Sequence, residues 1–243
     1  MKKIILSIAF AVGAFVVTNA QVTAVVGYIG ANRTLNMESG INDVALRVQE
    51  FSSDKFNTLN EVNKIKDFIY NELAKEFPFT LLQESDILAN EKYQTYVKEA
   101  NAKGLAVVEK VANDRVVPEG YLVQEYLNPE EVIACFDGVN AVMVVRISLS
   151  LTPTVLVYGN GSAKAKILVN IKLLNQKSKT LMAVNSYSLS EQSFGIAAGQ
   201  ITSNRDNITV ALGEASDNLF KDMRERLPKA IKKFEKKLVK YKM

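Results

Sequence analysis

NAVMVVRISLSL, residues Asn140–Leu151, decides the architecture of this chain. Met143, Val145, Ile147, Leu149 and Leu151 recur at every second position, the period of a strand that buries one face. The pattern returns from Ala163 through Ala165, Ile167, Val169 and Ile171 to Leu173. Gly159-Asn160-Gly161 reads as a turn rather than a phosphate cradle, and the polar Asn175–Lys179 as a second turn. Thr180–Leu189 then reads as a further strand. Turns this short leave no room for a crossover helix, so the three strands are expected to be consecutive and antiparallel.

Working outward, Val22–Ala31 is apolar and β-rich, and Val44–Val48 alternates weakly as another strand. Leu59, Val62, Ile65, Ile69 and Leu73 recur at helical spacing within Thr58–Phe77. Thr58 with Glu61 suggests a capping box, and Pro78 a stop. Phe79–Leu82 reads as a short buried strand, and Ser85 or Asp86 as the cap of a helix reaching Ala100. Leu105–Val117 reads as strands around Asn113-Asp114. Asn128-Pro129-Glu130-Glu131 is a strong helix start, with an Asn cap, Pro at the first helical position and acids in the first turn. Asp137-Gly138 ends that helix, and Gly195–Gly199 reads as a loop.

A last helix begins near Asn207 and carries the stripe Leu219, Met223, Leu227, Ile231, Phe234, Leu238 and Tyr241. Pro228 should kink or split it. The expected fold is therefore α/β: a single domain over residues 21–243, with a mixed sheet containing a three-strand antiparallel run flanked by helices, and a long basic C-terminal helix over about 207–241.

The N-terminus reads as an address. Lys2 and Lys3 precede an uncharged apolar run, Ile4–Val17, and Thr18-Asn19-Ala20 supplies small residues before Gln21. A run of 14 residues is short for a membrane span, which needs about 20. Residues 1–20 are expected to be a cleaved signal peptide, placing the mature chain in the periplasm or outside the cell. No Cys stands at the junction, so no lipobox is read.

Composition narrows the chemistry. The chain has no His and one Cys, Cys135. A Ser-His-Asp triad, a Cys-His dyad, a His-ligated metal and a four-Cys zinc site are all excluded, as is an internal disulfide. Cys135 sits in the apolar run Val132–Phe136 and reads as a small buried hydrophobe. No phosphate-binding G-x-x-x-x-G-K-[ST] loop is present. Ser52-Ser53-Asp54-Lys55 matches S-x-x-K, but the companion motifs S-D-N and K-T-G are missing. Glu84, Asp86, Glu91, Glu130 and Glu131 are explained as acids at helix starts. No catalytic, cofactor-binding or metal-ligating residue is assigned.

Charge is unevenly placed. The net charge is +4, but Lys221–Met243 holds ten Lys/Arg against three Asp/Glu, or +7. With Lys2 and Lys3 also set aside, residues 21–220 carry −5. Lys229, Lys232, Lys233, Lys236, Lys237 and Lys240 are the candidate surface-contact residues, either a solvated helix face or a dock for an anionic surface such as lipid headgroups. Nucleic acid is not an expected partner of an exported acidic body.

Three segments carry a family resemblance. Phe79–Leu88 (FTLLQESDIL) resembles the strand and acidic helix start of the TolB N-terminal, CsgG and LpoB-like envelope domains. Asp137–Ile147 (DGVNAVMVVRI) is similar to their central strand, with Asn140 where Asp is usual and Arg146 where Gly is usual. Lys166–Met182 is similar to their long hairpin, with Asn175–Thr180 in place of a D-x-x-T-G turn. The likeness spans about residues 42–225. It implies a non-catalytic domain acting by protein contact in envelope assembly or maintenance, at the outer membrane or as a homo-oligomer. The alternatives are a carboxylate-dependent hydrolase acting on cell-wall polymer and a CsgG-like pore or assembly subunit.

Overall fold

The computed structural model describes residues 22–32, 35–37, 58–107, 115–123, 128–158, 160–197, 200–201 and 205–241. The signal segment, the strand expected at Val44–Val48, the Ser52–Lys55 motif and the Asn113-Asp114 turn lie outside them. The strands are β1 (Thr23–Asn32), β2 (Asn36–Met37), β3 (Thr80–Leu81), β4 (Arg115–Val116), β5 (Ala141–Val157), β6 (Asn160–Asn175), β7 (Thr180–Ala197) and β8 (Gln200–Ile201). The helices are α1 (Leu59–Asn71), a 3-10 turn (Leu73–Glu76), α2 (Glu84–Ala89), α3 (Glu91–Val107), α4 (Pro129–Ala134) and α5 (Arg205–Tyr241).

All strands join one mixed sheet in the order β3-β1-β5-β6-β7-β8, with β2 beside β5 and β4 beside β1. β1 lies parallel to β3 and β5, from Ala24 opposite Ala141 to Ala31 opposite Ile147. β5, β6 and β7 are consecutive and antiparallel, as the alternation implies. Met143, Val145, Ile147, Leu149 and Leu151 are all buried, and so is the Ala163–Leu173 face of β6. The Asn175 side chain builds the β6–β7 turn by accepting from the backbone N–H groups of Lys177 (3.1 Å) and Lys179 (2.9 Å). Asn128 caps α4 by accepting from the Glu130 N–H at 3.1 Å, and Gly138, at φ +75°, makes the turn into β5.

β1 is buried at every position from Ala24 to Ala31, so both of its faces are covered. α1 and α5 pack together on one side, where Phe68 and Phe220 stack with centroids 4.1 Å apart. α2 and α4 touch β1 on the other side, and α4 also touches β5; α3 reaches β1 through Tyr93. The Tyr93 hydroxyl there donates to the Gly27 carbonyl at 3.1 Å, and its ring sits 5.3 Å from that of Phe136.

Among the described residues, no helix of this second cover extends over β6 and β7. The outer-face positions pair as Arg146–Asn170–Asn185, Ser148–Leu168–Tyr187, Ser150–Lys166–Leu189 and Thr152–Lys164–Ser193. Leu168, Tyr187 and Leu189 stay exposed there.

Several boundaries differ from the expectation. α1 stops at Asn71 and tightens to a 3-10 turn, because Phe77 must be extended before Pro78. Thr58 makes no side-chain cap; its hydroxyl donates to the Asn32 carbonyl at 3.3 Å, and Glu61 turns inward. The helix expected through Ala100 is two, broken at Asn90, whose side chain accepts from the Tyr93 N–H at 2.9 Å and so starts α3. Leu105–Val107 is helical. β7 continues past Leu189 through the expected Gly195 loop, because it pairs with β6 out to Ile196. α5 runs unbroken through Pro228. That proline is exposed while Leu227 and Phe234 are buried, so packing on both sides offsets the single lost backbone bond.

Candidate functional site on the C-terminal helix

α5 seats its apolar side on the β6–β7 face. Leu219, Met223, Leu227 and Phe234 are fully buried, whereas Ile231 is only half-buried. The Phe234 ring meets Phe79 edge-on at 5.7 Å. Upstream the contact is made by small groups. Ser186, Ser188 and Ser190 of β7 face inward, and Ala211, Ala215 and Ser216 answer from the helix. The backbones therefore come close: the Ser188 hydroxyl donates to the Ala215 carbonyl at 2.5 Å.

One polar row of α5 covers the edge of β7. Glu214 accepts from the Gln192 N–H at 3.1 Å, and Asn218 donates to the Leu189 carbonyl at 3.2 Å. Asp222 accepts from the Ser186 hydroxyl at 2.5 Å and from the Tyr187 backbone. Lys237 donates to the Thr180 carbonyl at 2.7 Å. The first three stand four residues apart, on one helix face. Side chains of the helix thus satisfy backbone groups that a further strand would otherwise have taken, and the edge is guarded against pairing. Burial pushes the Asp222 carboxyl up, but Ser186, Arg226 and the Tyr187 backbone outweigh it and hold it below the usual carboxylate range.

The six candidate lysines divide accordingly. Lys229, Lys232, Lys233 and Lys236 are exposed at helical spacing and form one cationic stripe, on the side away from the packed residues. Lys237 is half-buried and committed to Thr180. The Lys240 side chain lies outside the described residues.

Three of the acids weighed for a hydrolase have local partners. Glu84 pairs with Lys66 at 2.6 Å and accepts from the Tyr121 hydroxyl at 3.5 Å. Glu130 accepts from Gln176 at 3.3 Å and Glu131 from Asn128 at 3.1 Å. Tyr121 also shares a hydrogen bond of 2.9 Å with Tyr70. Burial drives the hydroxyls of Tyr70, Tyr93 and Tyr121 well above the ordinary tyrosine range, so they stay neutral donors. Cys135 is half-buried rather than buried. Its thiol donates to the Glu131 carbonyl at 3.3 Å, and burial pushes its pKa up. Among the described residues no cluster of acids and Cys could hold a metal ion, and no helix is long and apolar enough to cross a membrane.

Sequence reasoning found the helix and its stripe but missed the edge-covering row. The available signal was Glu214, Asn218 and Asp222 recurring every fourth position beside the apolar stripe.

No family model matches the chain, and no curated protein does. Among solved structures, the chain is similar to lipoprotein GNA1162 from Neisseria meningitidis, with 11% identity over 82% of this chain and 96% of that one and a TM-score of 0.33. It is also similar to the hypothetical protein CT253 from Chlamydia trachomatis, with 12% identity over 87% of this chain and 97% of that one and a TM-score of 0.35. Superpositions this loose transfer no role to any residue, and neither match bears on the resemblance to TolB N-terminal, CsgG and LpoB-like domains.

Proposed function

We propose that this chain is a non-catalytic exported domain that acts by contact in the cell envelope, with the exposed stripe of α5 as an anion-facing surface. The observation that carries the reading is how α5 divides its polar residues. Glu214, Asn218, Asp222 and Lys237 are spent on the β7 edge, whereas Lys229, Lys232, Lys233 and Lys236 stand exposed on the outer side. A solvated helix needs no such one-signed cluster, and in a body of opposite charge it marks where an acidic partner docks.

The test is recovery of a partner from the organism's own envelope fraction with the mature chain. Binding is expected to weaken with salt and to be lost in K229Q/K232Q/K233Q/K236Q. Undiminished capture by that variant overturns the stripe. Turnover of ester, glycoside or peptide substrates that a single acidic or serine substitution abolishes overturns the non-catalytic reading. Lipid headgroups are the other anionic surface in an envelope. Salt-sensitive co-sedimentation with anionic vesicles, lost in the same variant, would assign the stripe to the membrane instead.

A further inference from the structure

β7 inverts the usual polarity of a strand. It turns Ser186 and Ser188 into the core and leaves Tyr187 (55% exposed) and Leu189 (36%) on the outer face, with Leu168 (41%) directly opposite Tyr187 on β6. Close packing of α5 accounts for the serines inside, but it does not require large apolar residues on the outer side, where polar residues would serve in water. We propose that this outer face of β6 and β7 docks an acidic, amphipathic segment of a partner protein, a surface distinct from the α5 stripe. The inference rests on the reading of the chain as a contact domain and names the chemistry of one partner.

Charge supplies the second argument. Arg146, Lys164, Lys166 and Lys172 all lie on this face, against one exposed acid, Glu191, in the β7 bulge beside Leu189. The surrounding body, residues 21–220, is net −5. A strip of four cations and one acid in a body of net negative charge is placed against the molecule's own field and selects an anionic occupant. Arg146 adds a local reason. Its Nε–H is shielded from water and has no acceptor among the described residues, while the side chain as a whole is half-exposed. A carboxylate is the group that guanidinium geometry matches best.

The layout points to polypeptide rather than to a flat lipid surface. Lys164, Lys166 and Leu168 follow one another along the central strand, and successive same-face positions are roughly 7 Å apart. Lys166 also lies 5.8 Å from the centre of the Tyr187 ring, so the cationic and apolar groups interdigitate. A peptide with carboxylates and large apolar residues in alternation can match that order, whereas a bilayer separates charge and hydrocarbon by depth.

The experiment uses the mature chain and fluorescein-labelled peptides read by anisotropy: one alternating Glu with Leu and Phe, and one of Glu alone. The mixed peptide is expected to bind with salt-sensitive affinity, and more tightly than the Glu peptide. K164Q/K166Q/K172Q and, separately, Y187S/L189S should each weaken it about ten-fold or more, a factor of ten being 1.4 kcal/mol. In the K229Q/K232Q/K233Q/K236Q background the preference for the mixed peptide over the Glu peptide should persist. A photo-crosslinker at Leu168 in cells should then yield an adduct with another protein. Equal affinity for both peptides, unchanged binding by the sheet-face variants, or a crosslink to lipid or to a second copy of this chain overturns the proposal. Thermal melts matching wild type show that the variants fold. The α5 variant separates the two readings: a sheet face that binds while the helix stripe captures nothing leaves this inference standing and the stripe without support.

Discussion

The Ser216 hydroxyl donates to the Glu61 carboxylate at 2.5 Å, tying α1 to α5 across 155 positions of sequence. Ser216 is fully buried and Glu61 is 9% exposed. The carboxylate that looked like half of a capping box is instead an interhelical clasp. Ser216→Ala leaves a mostly buried carboxylate short of its donor and should cost about 1–3 kcal/mol. Glu61→Leu combined with Ser216→Ala should recover part of that loss, because both polar partners are then gone. Denaturant unfolding of the single and double variants checks it; no loss in Ser216→Ala would show that the clasp contributes nothing, and a double variant no more stable than the single one would show that the unpaired carboxylate is not the source of the loss.

The packed side of α5 should respond unevenly. Phe234→Ala empties a fully buried site against Phe79 and should cost about 3–5 kcal/mol. Ile231→Ala should cost distinctly less, since Ile231 is only half-buried. Lys237→Gln should destabilise measurably through the lost bond to Thr180, whereas Lys229→Gln and Lys233→Gln should stay within about 0.5 kcal/mol of wild type, as exposed positions do. Thermal melts of the five variants rank them.

Acid should weaken the grip of α5 on the β7 edge. Asp222 has its folded-state pKa held below the usual value, so the stability it contributes is present above the unfolded carboxylate pKa of about 3.9 and is lost as pH falls through the folded value. Asp222→Asn should flatten the decline in stability below about pH 4. An unchanged acid limb in the variant's denaturation profile would place the acid sensitivity elsewhere.

Alkali should act through the buried tyrosines. The folded-state values of Tyr70, Tyr93 and Tyr121 lie above the ordinary tyrosine value of about 10. Their contribution is therefore complete below that pH and is lost as pH rises toward the folded values, because the unfolded chain ionises first. Absorbance at 295 nm should show the exposed tyrosines titrating smoothly and the buried ones appearing only together with loss of the helical circular dichroism signal. Complete smooth titration of all nine tyrosines with the fold intact would contradict the burial.

The sequence alone determined the α/β class, the three antiparallel strands and the long basic helix. Each rests on a local periodicity, such as Met143 to Leu151 or Leu219 to Phe234, that survives whatever packs on it. The α4 start was legible for the same reason, since Asn128 and Pro129 act on their own turn. Tertiary structure decided what depends on distant partners. It turned Glu61 from a local cap toward Ser216, kept α5 helical through Pro228 by packing on either side, and carried β7 beyond its expected end by pairing with β6. It also chose the buried face of β7. Hydrophobicity would bury Tyr187 and Leu189, but α5 approaches so closely that only serine-sized side chains fit beneath it, and the large residues are left outside.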